Sequence, residues 1–181
     1  VSAAAGATGL LACQIAKNLG ARVIGIAGGK RKCEFLRGKG LADRAIDYKA
    51  ENVEAALAAE DGVNVYFDNV GGAILDAALP NMALHGRVAV CGLIDGYSGD
   101  GPAPGPRRFD QVLMKRLAIT GFFLPDYFDR GAEHQAALRY WFDKGRLKMW
   151  FDETAGLENT LAAYGKLFSG GNIGKVIVRV S

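Results

Sequence analysis

The residues best suited to chemistry stand at the front of the chain, in the run Val1-Ser2-Ala3-Ala4-Ala5-Gly6-Ala7-Thr8-Gly9. It reads as the end of a buried strand, a turn of tiny residues and the start of a helix over residues 10–19. Leu11, Ile15 and Leu19 recur every four positions along that helix and give it one apolar face. The first N–H groups of a helix lack internal partners, and its dipole favours an anion beside them. Gly6 and Gly9 carry no Cβ, so a pyrophosphate and the helix itself can approach the backbone closely. The spacing Ala4-x-Gly6-x-x-Gly9 is the dinucleotide fingerprint Gly-x-Gly-x-x-Gly with alanine in its first place. A close-packed strand-to-helix turn without any ligand has the same spacing. Context separates the two readings. Ala21-Arg22-Val23-Ile24-Gly25-Ile26-Ala27 follows as a second apolar strand and completes a βαβ unit of about 30 residues, which favours a dinucleotide site.

The end of that second strand discriminates between cofactors. A fold that binds NAD usually carries an acidic residue ~20 positions past the glycine turn, bonded to the ribose 2′-hydroxyl. Here Ala27, Gly28 and Gly29 lead into Lys30-Arg31-Lys32. A 2′-phosphate adds negative charge that such cations bind through charge-assisted hydrogen bonds. A solvated basic first helical turn is the plainer reading, but cations are disfavoured at a helix N-terminus. The pattern therefore points to NADP.

Further candidates lie at other strand ends. Tyr48 closes a short third strand, where it either covers the adenine–ribose end or is simply a half-buried amphipathic residue. Asn69 follows Val63-Asn64-Val65-Tyr66-Phe67-Asp68 at the carboxyl end of a fourth strand, where open α/β sheets bind ligands. Its amide offers donors and an acceptor to a ribose or carboxamide, although asparagine also serves as a turn former. Tyr97 sits in a long Pro/Gly-rich loop, running to Pro106, that reads as a closure over the nicotinamide. Its phenol can hold a ribose hydroxyl or pass a proton, or its ring can merely pack.

The elements that position these residues follow a regular order. After residues 10–19 and the second strand come a helix that opens on Lys30-Arg31-Lys32 and is ended by Gly38-Lys39-Gly40, a strand over 45–48 and an alanine-rich helix over 52–60. The strand over 63–67 is followed by a helix from Gly71-Gly72 to about Pro80 and a fifth strand over 86–92. Helix 109–115 and a sixth strand over 117–123 follow. Beyond them a long helix over 132–147 carries Leu138, Trp141 and Phe142 on its packing side. A short strand over 148–151, a helix over 157–168 stopped by Ser169-Gly170-Gly171 and a final strand over 175–180 complete the chain. Alternating apolar strands and amphipathic helices predict an α/β fold, a Rossmann-type doubly wound parallel sheet. No solenoid repeat is visible.

Composition narrows the function classes. A chain of 181 residues, 50% of them hydrophobic, can bury a full core. No apolar run reaches the ~18 residues needed to span a bilayer, and no signal-peptide pattern opens the chain. A net charge of +3 with scattered basic residues argues against nucleic acid. Cys13, Cys33 and Cys91 are odd in number and widely spaced, which predicts reduced thiols and a cytoplasmic protein. With only His85 and His134 there is no cluster of zinc-ligand spacing, so no metal site is expected. The first strand is shorter than the usual ~5–6 residues, so the chain is expected to be a piece of a longer protein.

Taken together, these motifs resemble those of the medium-chain dehydrogenase/reductase superfamily. Within it the chain is most similar to the zinc-independent, NADP-dependent alkenal and prostaglandin reductases, which include the bacterial curcumin-reductase type. The resemblance is carried by Ala4-Ala5-Gly6-Ala7-Thr8-Gly9, Phe67-Asp68-Asn69-Val70-Gly71-Gly72, Cys91-Gly92 and Gly171-Asn172-Ile173-Gly174-Lys175, in that order. It implies a cofactor domain over residues 1–170 and a strand over 171–181 returning toward a GroES-like, barrel-shaped catalytic domain largely outside this chain. It implies that Gly6, Ala7, Thr8 and Gly9 cradle the pyrophosphate and that Lys32 and Tyr48 hold the 2′-phosphate. Asn69 and Asn172 would contact the cofactor. Cys91, Gly92, Leu93, Ile94, Asp95, Gly96 and Tyr97 would line it, and Phe122, Phe123 and Leu124 would end a strand beside the nicotinamide. Tyr97 is the candidate catalytic residue. Relatives more often carry Ser-Asp-Glu where Gly29-Lys30-Arg31 stand, a departure that strengthens the preference for a 2′-phosphate.

The implied activity is NADPH-dependent reduction of the carbon–carbon double bond of small α,β-unsaturated ketones and aldehydes by a homodimer. Rival readings are a quinone reductase of the same superfamily, a zinc alcohol dehydrogenase and a non-enzymatic NADPH-sensing module. Which acceptor is turned over, and whether metal is present, would separate them.

Overall fold

In a computed structural model, which describes residues 1–97 and 105–180, every paired strand runs parallel to its neighbour. The strands are β1 (Ile24–Ala27), β2 (Arg44–Asp47), β3 (Val63–Asp68), β4 (Met82–Val90), β5 (Ala118–Gly121), β6 (Phe151–Ala155) and β7 (Lys175–Arg179). The helices are α1 (Ala7–Asn18), α2 (Lys30–Gly38), α3 (Val53–Ala58), α4 (Gly72–Ala78), α5 (Asp110–Met114), α6 (Gly131–Asp143) and α7 (Thr160–Ser169).

β1 pairs with β2, and β4 lies between β3 and β5. Residues 1–5 join these two sheets. The Ile26 N–H donates to the Val1 carbonyl and the Ala4 N–H to the Ile26 carbonyl, while on the other side the Ser2 N–H donates to the Phe67 carbonyl. The spatial order is therefore β2, β1, residues 1–5, β3, β4, β5, the arrangement of a doubly wound sheet whose order reverses at its middle. The sequence predicts a regular strand end in residues 1–3, and the geometry differs. The two bonds to Ile26 come from residues three apart, where a parallel ladder takes them from residues two apart. The extra residue is absorbed by Ala3, which holds φ 44°, a left-handed conformation that costs an alanine about 1–2 kcal/mol.

The two-residue period of the strands divides the core. Ile24 and Ile26 of β1 pack with Ile46, Tyr66 and Val88 under α3 and α4. Val23 and Ala27 pack on the opposite side with Ala4 and with Leu10, Cys13 and Leu36 of α1 and α2. β7 and β6 form a separate pair, attached to the glycine turn where Gly174 bridges Gly6 and donates to the Ala5 carbonyl at 2.9 Å.

Two expectations are corrected. The strand expected over 148–151 lies instead at β6. The reason is Gln14, buried on α1: its Nε2 donates to the Lys148 carbonyl at 3.0 Å and its Oε1 accepts from the Lys148 N–H at 2.7 Å, so that backbone is taken before a ladder can use it. Among the described residues the apolar stripe of α6 is left largely uncovered, only Trp141 of Leu138, Trp141 and Phe142 being half-buried. Leu138 is 38% and Phe142 56% exposed, and α6 buries no residue among those described. A stripe in a sequence shows that a helix has an apolar face, not which body covers it. The loop read as a closure over the nicotinamide falls largely on residues 98–104, outside the described residues.

Helix α1 rests on bare backbone. A Cβ at Gly9 would lie 2.2 Å from the Ala3 carbonyl oxygen and 2.8 Å from the Ala4 Cα. Gly9→Ala is therefore expected to lift the helix and lower stability by about 1–3 kcal/mol, the usual range for overpacking. Urea unfolding checks this, and an unchanged midpoint would contradict it.

Candidate functional site

At the start of α1 the Gly6 N–H donates to the Ala3 carbonyl and the Leu10 N–H to the Gly6 carbonyl, both at 2.9 Å. The N–H groups of Ala7, Thr8 and Gly9 have no acceptor among the described residues. Three free donors thus converge at the positive end of a twelve-residue helix, beside the carboxyl ends of the central strands.

The next wall is the turn after β1. Gly29 holds φ 95° at the N-cap of α2, and its N–H donates to the Asp47 carboxylate at 2.7 Å. Asp47 also accepts from the Lys49 N–H, so this carboxylate is spent on tying the β2 end to the turn. Tyr48 lies across Gly28: a Cβ there would come within 2.8 Å of its ring. The three cations of the basic run separate by direction. Lys30 points outward and pairs with Glu34 on the surface of α2. Lys32 is half-buried and has no carboxylate within ion-pair distance among the described residues. Burial first, then the charges of Lys49 and Arg31, pull its ammonium below the ordinary lysine value. Its Nζ lies 3.8 Å from the place a Cβ on Gly170 would take, so the turn at 170–174 closes this corner. Lys49 was not singled out from the sequence, although a cation next to Tyr48 was visible there.

The ends of β3 and β4 form the opposite half. Asn69 is held by the chain's own second residue. Its N–H donates to the Ser2 hydroxyl at 2.7 Å and its Nδ2 to the Ser2 carbonyl at 2.8 Å. That leaves the amide oxygen and one amide proton for a ligand. The turn at 91–97 hangs from the same place. Cys91 and Gly92 N–H groups donate to the Asp68 carbonyl, Ile94 to the Asn69 carbonyl and Asp95 to the Val70 carbonyl. Gly92 packs tightly here, with a Cβ 3.2 Å from the Asn69 carbonyl oxygen. Leu93 and Asp95 face the Gly71-Gly72 turn at the start of α4. Leu93 and Ile94 stay partly exposed, and Gly96 ends a single 3-10 turn (Ile94–Gly96). Tyr97 is 68% exposed and curls back, its phenol oxygen accepting from the Leu93 N–H at 3.3 Å.

Phe122, Phe123 and Leu124 follow β5. The Phe122 N–H donates to the Val90 carbonyl, and its ring stacks on Tyr127 with centroids 5.0 Å apart. Phe123 and Leu124 are exposed. Asn172 is buried, and its Nδ2 donates to the Gly174 carbonyl at 2.8 Å, shaping the turn that meets Gly6. The candidate residues therefore line one edge of the sheet from Tyr48 to Phe122. Two clefts flank that edge. One of about 420 Å³ runs between Thr8 and Leu11 of α1 and Trp150 and Gly174. The other, of about 540 Å³, lies between Arg31, Phe35 and Trp150. Neither includes Asn69 or Tyr97.

All three cysteines are unpaired. Burial pushes the Cys13 thiol up to about 11 and raises Cys33 and Cys91 as well, the opposite of what activates a thiol. Among the described residues no three His, Cys, Asp or Glu side chains stand together as a metal site would require.

Residues 7–140 match the zinc-binding dehydrogenase family. The 2-alkenal reductase (NADP(+)-dependent) of Nicotiana tabacum is 41% identical over 184 residues, covering 100% of this chain and 53% of the relative. The crystal structure of CurA in complex with NADPH from Vibrio vulnificus superposes with a TM-score of 0.91 at 37% identity, covering 99% of this chain and 56% of that one. The Escherichia coli quinone oxidoreductase complexed with NADPH gives a TM-score of 0.82 at 25% identity, covering 98% of this chain and 55% of that one. The chain thus spans about half the length of the relatives it matches.

Proposed function

The chain belongs to the zinc-binding dehydrogenase family, and from that premise we propose that it is the cofactor-binding part of an NADPH-dependent reductase acting on the carbon–carbon double bond of α,β-unsaturated ketones and aldehydes. The observation that carries the cofactor half of this reading is Lys32, a half-buried cation with no carboxylate partner among the described residues, next to a strand end that offers no acid to a ribose hydroxyl. A 2′-phosphate is the anion that such a corner lacks. The free N–H groups of Ala7, Thr8 and Gly9 suit a pyrophosphate, and the missing Cβ atoms at Gly6 and Gly9 suit its close approach. Lys32 and Tyr48 would hold the adenine-side phosphate, and Asn69, Asn172 and the turn at 91–97 the other half. When bound, the cofactor supplies hydride to the β-carbon of the substrate. Tyr97 Oη is our candidate for passing a proton toward the α-carbon, since its phenol is exposed and can still donate.

The substrate class rests on the alkenal reductase relative. A quinone acceptor is the second reading, favoured by the likeness to a quinone oxidoreductase. Turnover of an enone and a quinone with NADPH, compared side by side in the full-length protein, separates them. We keep the reading without zinc, which stoichiometric metal in that protein would overturn. Residues 1–170 are assigned to the cofactor domain and residues 171–181 to a strand returning toward the rest of the protein. Free thiols support a cytoplasmic home. No helix among the described residues is long and apolar enough to cross a membrane.

Lys32→Ala is expected to weaken NADPH by about 1.5–3 kcal/mol and leave NADH nearly unchanged, as for one charge-assisted bond. Calorimetric titration checks it, and equal losses for both cofactors would sink the assignment. Tyr97→Phe keeps the ring and removes the hydroxyl, so turnover of a conjugated enone should fall roughly 10²-fold or more, the scale of general acid catalysis. A steady-state rate within a few-fold of the parent, on that same scale, would leave Tyr97 a packing residue. The exposed edge strand β5, with Ile119 37% exposed, and the uncovered stripe of α6 support a homodimer. Light scattering at micromolar concentration should report two chains, and a stable monomer would contradict it.

A further inference from the structure

Beneath Asn69 lies a carboxylate that the proposed chemistry does not use. Asp68 is fully buried. Its Oδ1 accepts from the Ser2 hydroxyl at 2.8 Å, the Tyr66 phenol at 3.1 Å and the N–H groups of Val70 and Gly71 at 3.0 and 3.1 Å. Burial first, then the Asp68 charge, drives the Tyr66 phenol well above its ordinary value, so it stays a donor. Ser2 is equally buried and is the relay. Its hydroxyl proton is committed to Asp68, so its oxygen must accept, and what it accepts is the Asn69 N–H. Its carbonyl then takes Asn69 Nδ2. An amide with its nitrogen on a carbonyl cannot rotate by half a turn without placing oxygen against oxygen. The Ser2 carbonyl therefore fixes which end of the Asn69 amide faces outward, and the chain from Asp68 through the Ser2 hydroxyl to the Asn69 N–H holds the Asn69 backbone where its amide can reach that carbonyl. The backbone carbonyls of Asp68, Asn69 and Val70 carry the turn at 91–95 as well.

We propose that Ser2 and Asp68 form a positioning pair that sets the Asn69 amide and so governs the grip on the nicotinamide half of the cofactor, separately from the adenine half held at Lys32 and Tyr48. This rests on the reading of Asn69 as a cofactor contact. A pair that merely stabilised the fold would weaken both halves alike; a positioning pair weakens one.

The test uses the full-length protein and two probes, NADPH and adenosine 2′,5′-bisphosphate, which carries only the adenine half. Ser2→Ala removes the relay and should weaken NADPH about tenfold, the worth of one to two hydrogen bonds. Binding of the bisphosphate should stay within about twofold, inside the scatter for an uninvolved site. Asn69→Ala should give the same split, and the double variant should lose no more than either single one, because both act through one amide. Equal weakening of both probes by Ser2→Ala, a selective effect of Asn69→Ala without one of Ser2→Ala, or losses that add in the double variant would each overturn the positioning role while leaving the cofactor contact standing. An Asn69→Ala protein that binds NADPH as well as the parent would instead remove the cofactor contact, and the proposal with it. Should Ser2→Ala not fold, Asp68→Asn keeps the volume and the backbone acceptor but takes the charged acceptor from Ser2, and the same split is expected.

Discussion

Helix α1 is seated on peptide backbone, and the rest of the structure follows from how closely it sits. At Gly9 a Cβ would coincide with the carbonyl of Ala3. With no side chain between them, the first turn of the helix meets the middle of the sheet, and its three free N–H groups lie at the point where strand order reverses. The same depth lets Leu10 and Cys13 enter the core and lets Gln14 clasp the backbone of Lys148 from 134 residues away. It also leaves room for Gly174, whose own Cβ would strike the Trp150 carbonyl, to bridge Gly6. The left-handed Ala3 is the local cost of that seat.

Among the described residues, Glu60 and Lys32 show two different ways of keeping a charge out of water. Glu60, with a side chain 7% exposed, is met by the guanidinium groups of both Arg22 and Arg44. That is how a buried charge is ordinarily kept. Lys32 has lost part of its hydration and faces two more cations in place of an anion. Left alone, the corner resists holding its charge. A bound dianion would offset those effects by favouring the charged ammonium. Glu34, two positions along, is paired with Lys30, and Asp47 is turned into the backbone of Gly29 and Lys49.

Much of this was legible in the residues themselves. The glycine spacing is a statement about where Cβ atoms are not, and spacing survives translation into space. The βα order shows because each strand and helix writes its own period. What stayed hidden depends on partners distant in sequence. The stripe of Leu138, Trp141 and Phe142 announced an apolar face, but among the described residues Leu138 and Phe142 are left uncovered. Phe151 begins a strand and Lys148 does not, because Gln14 takes the Lys148 backbone. The bond between Ser2 and Asp68 spans 66 positions. The clue was chemical: an acid inside the apolar run Val65-Tyr66-Phe67-Asp68 must find donors, and Ser2 is a hydroxyl in an otherwise apolar first strand.

The two halves of the edge are built differently, and the difference bears on what can move. On the β1–β2 side the candidate contacts are side chains, Lys32 and Tyr48, resting on glycines that give way to them. On the β3–β4 side the turn at 91–97 is suspended by backbone bonds from Asp68, Asn69 and Val70, so its base is as rigid as the sheet. Rigidity ends at Tyr97. The one side-chain bond of Tyr97 among the described residues, from the Leu93 N–H, is long at 3.3 Å, and the ring is mostly exposed. A weak bond between exposed partners costs little to exchange for another. The phenol is thus tethered close to the Asn69 carbonyl without being locked there, which is the condition a group must meet if it is to change partners when a ligand arrives.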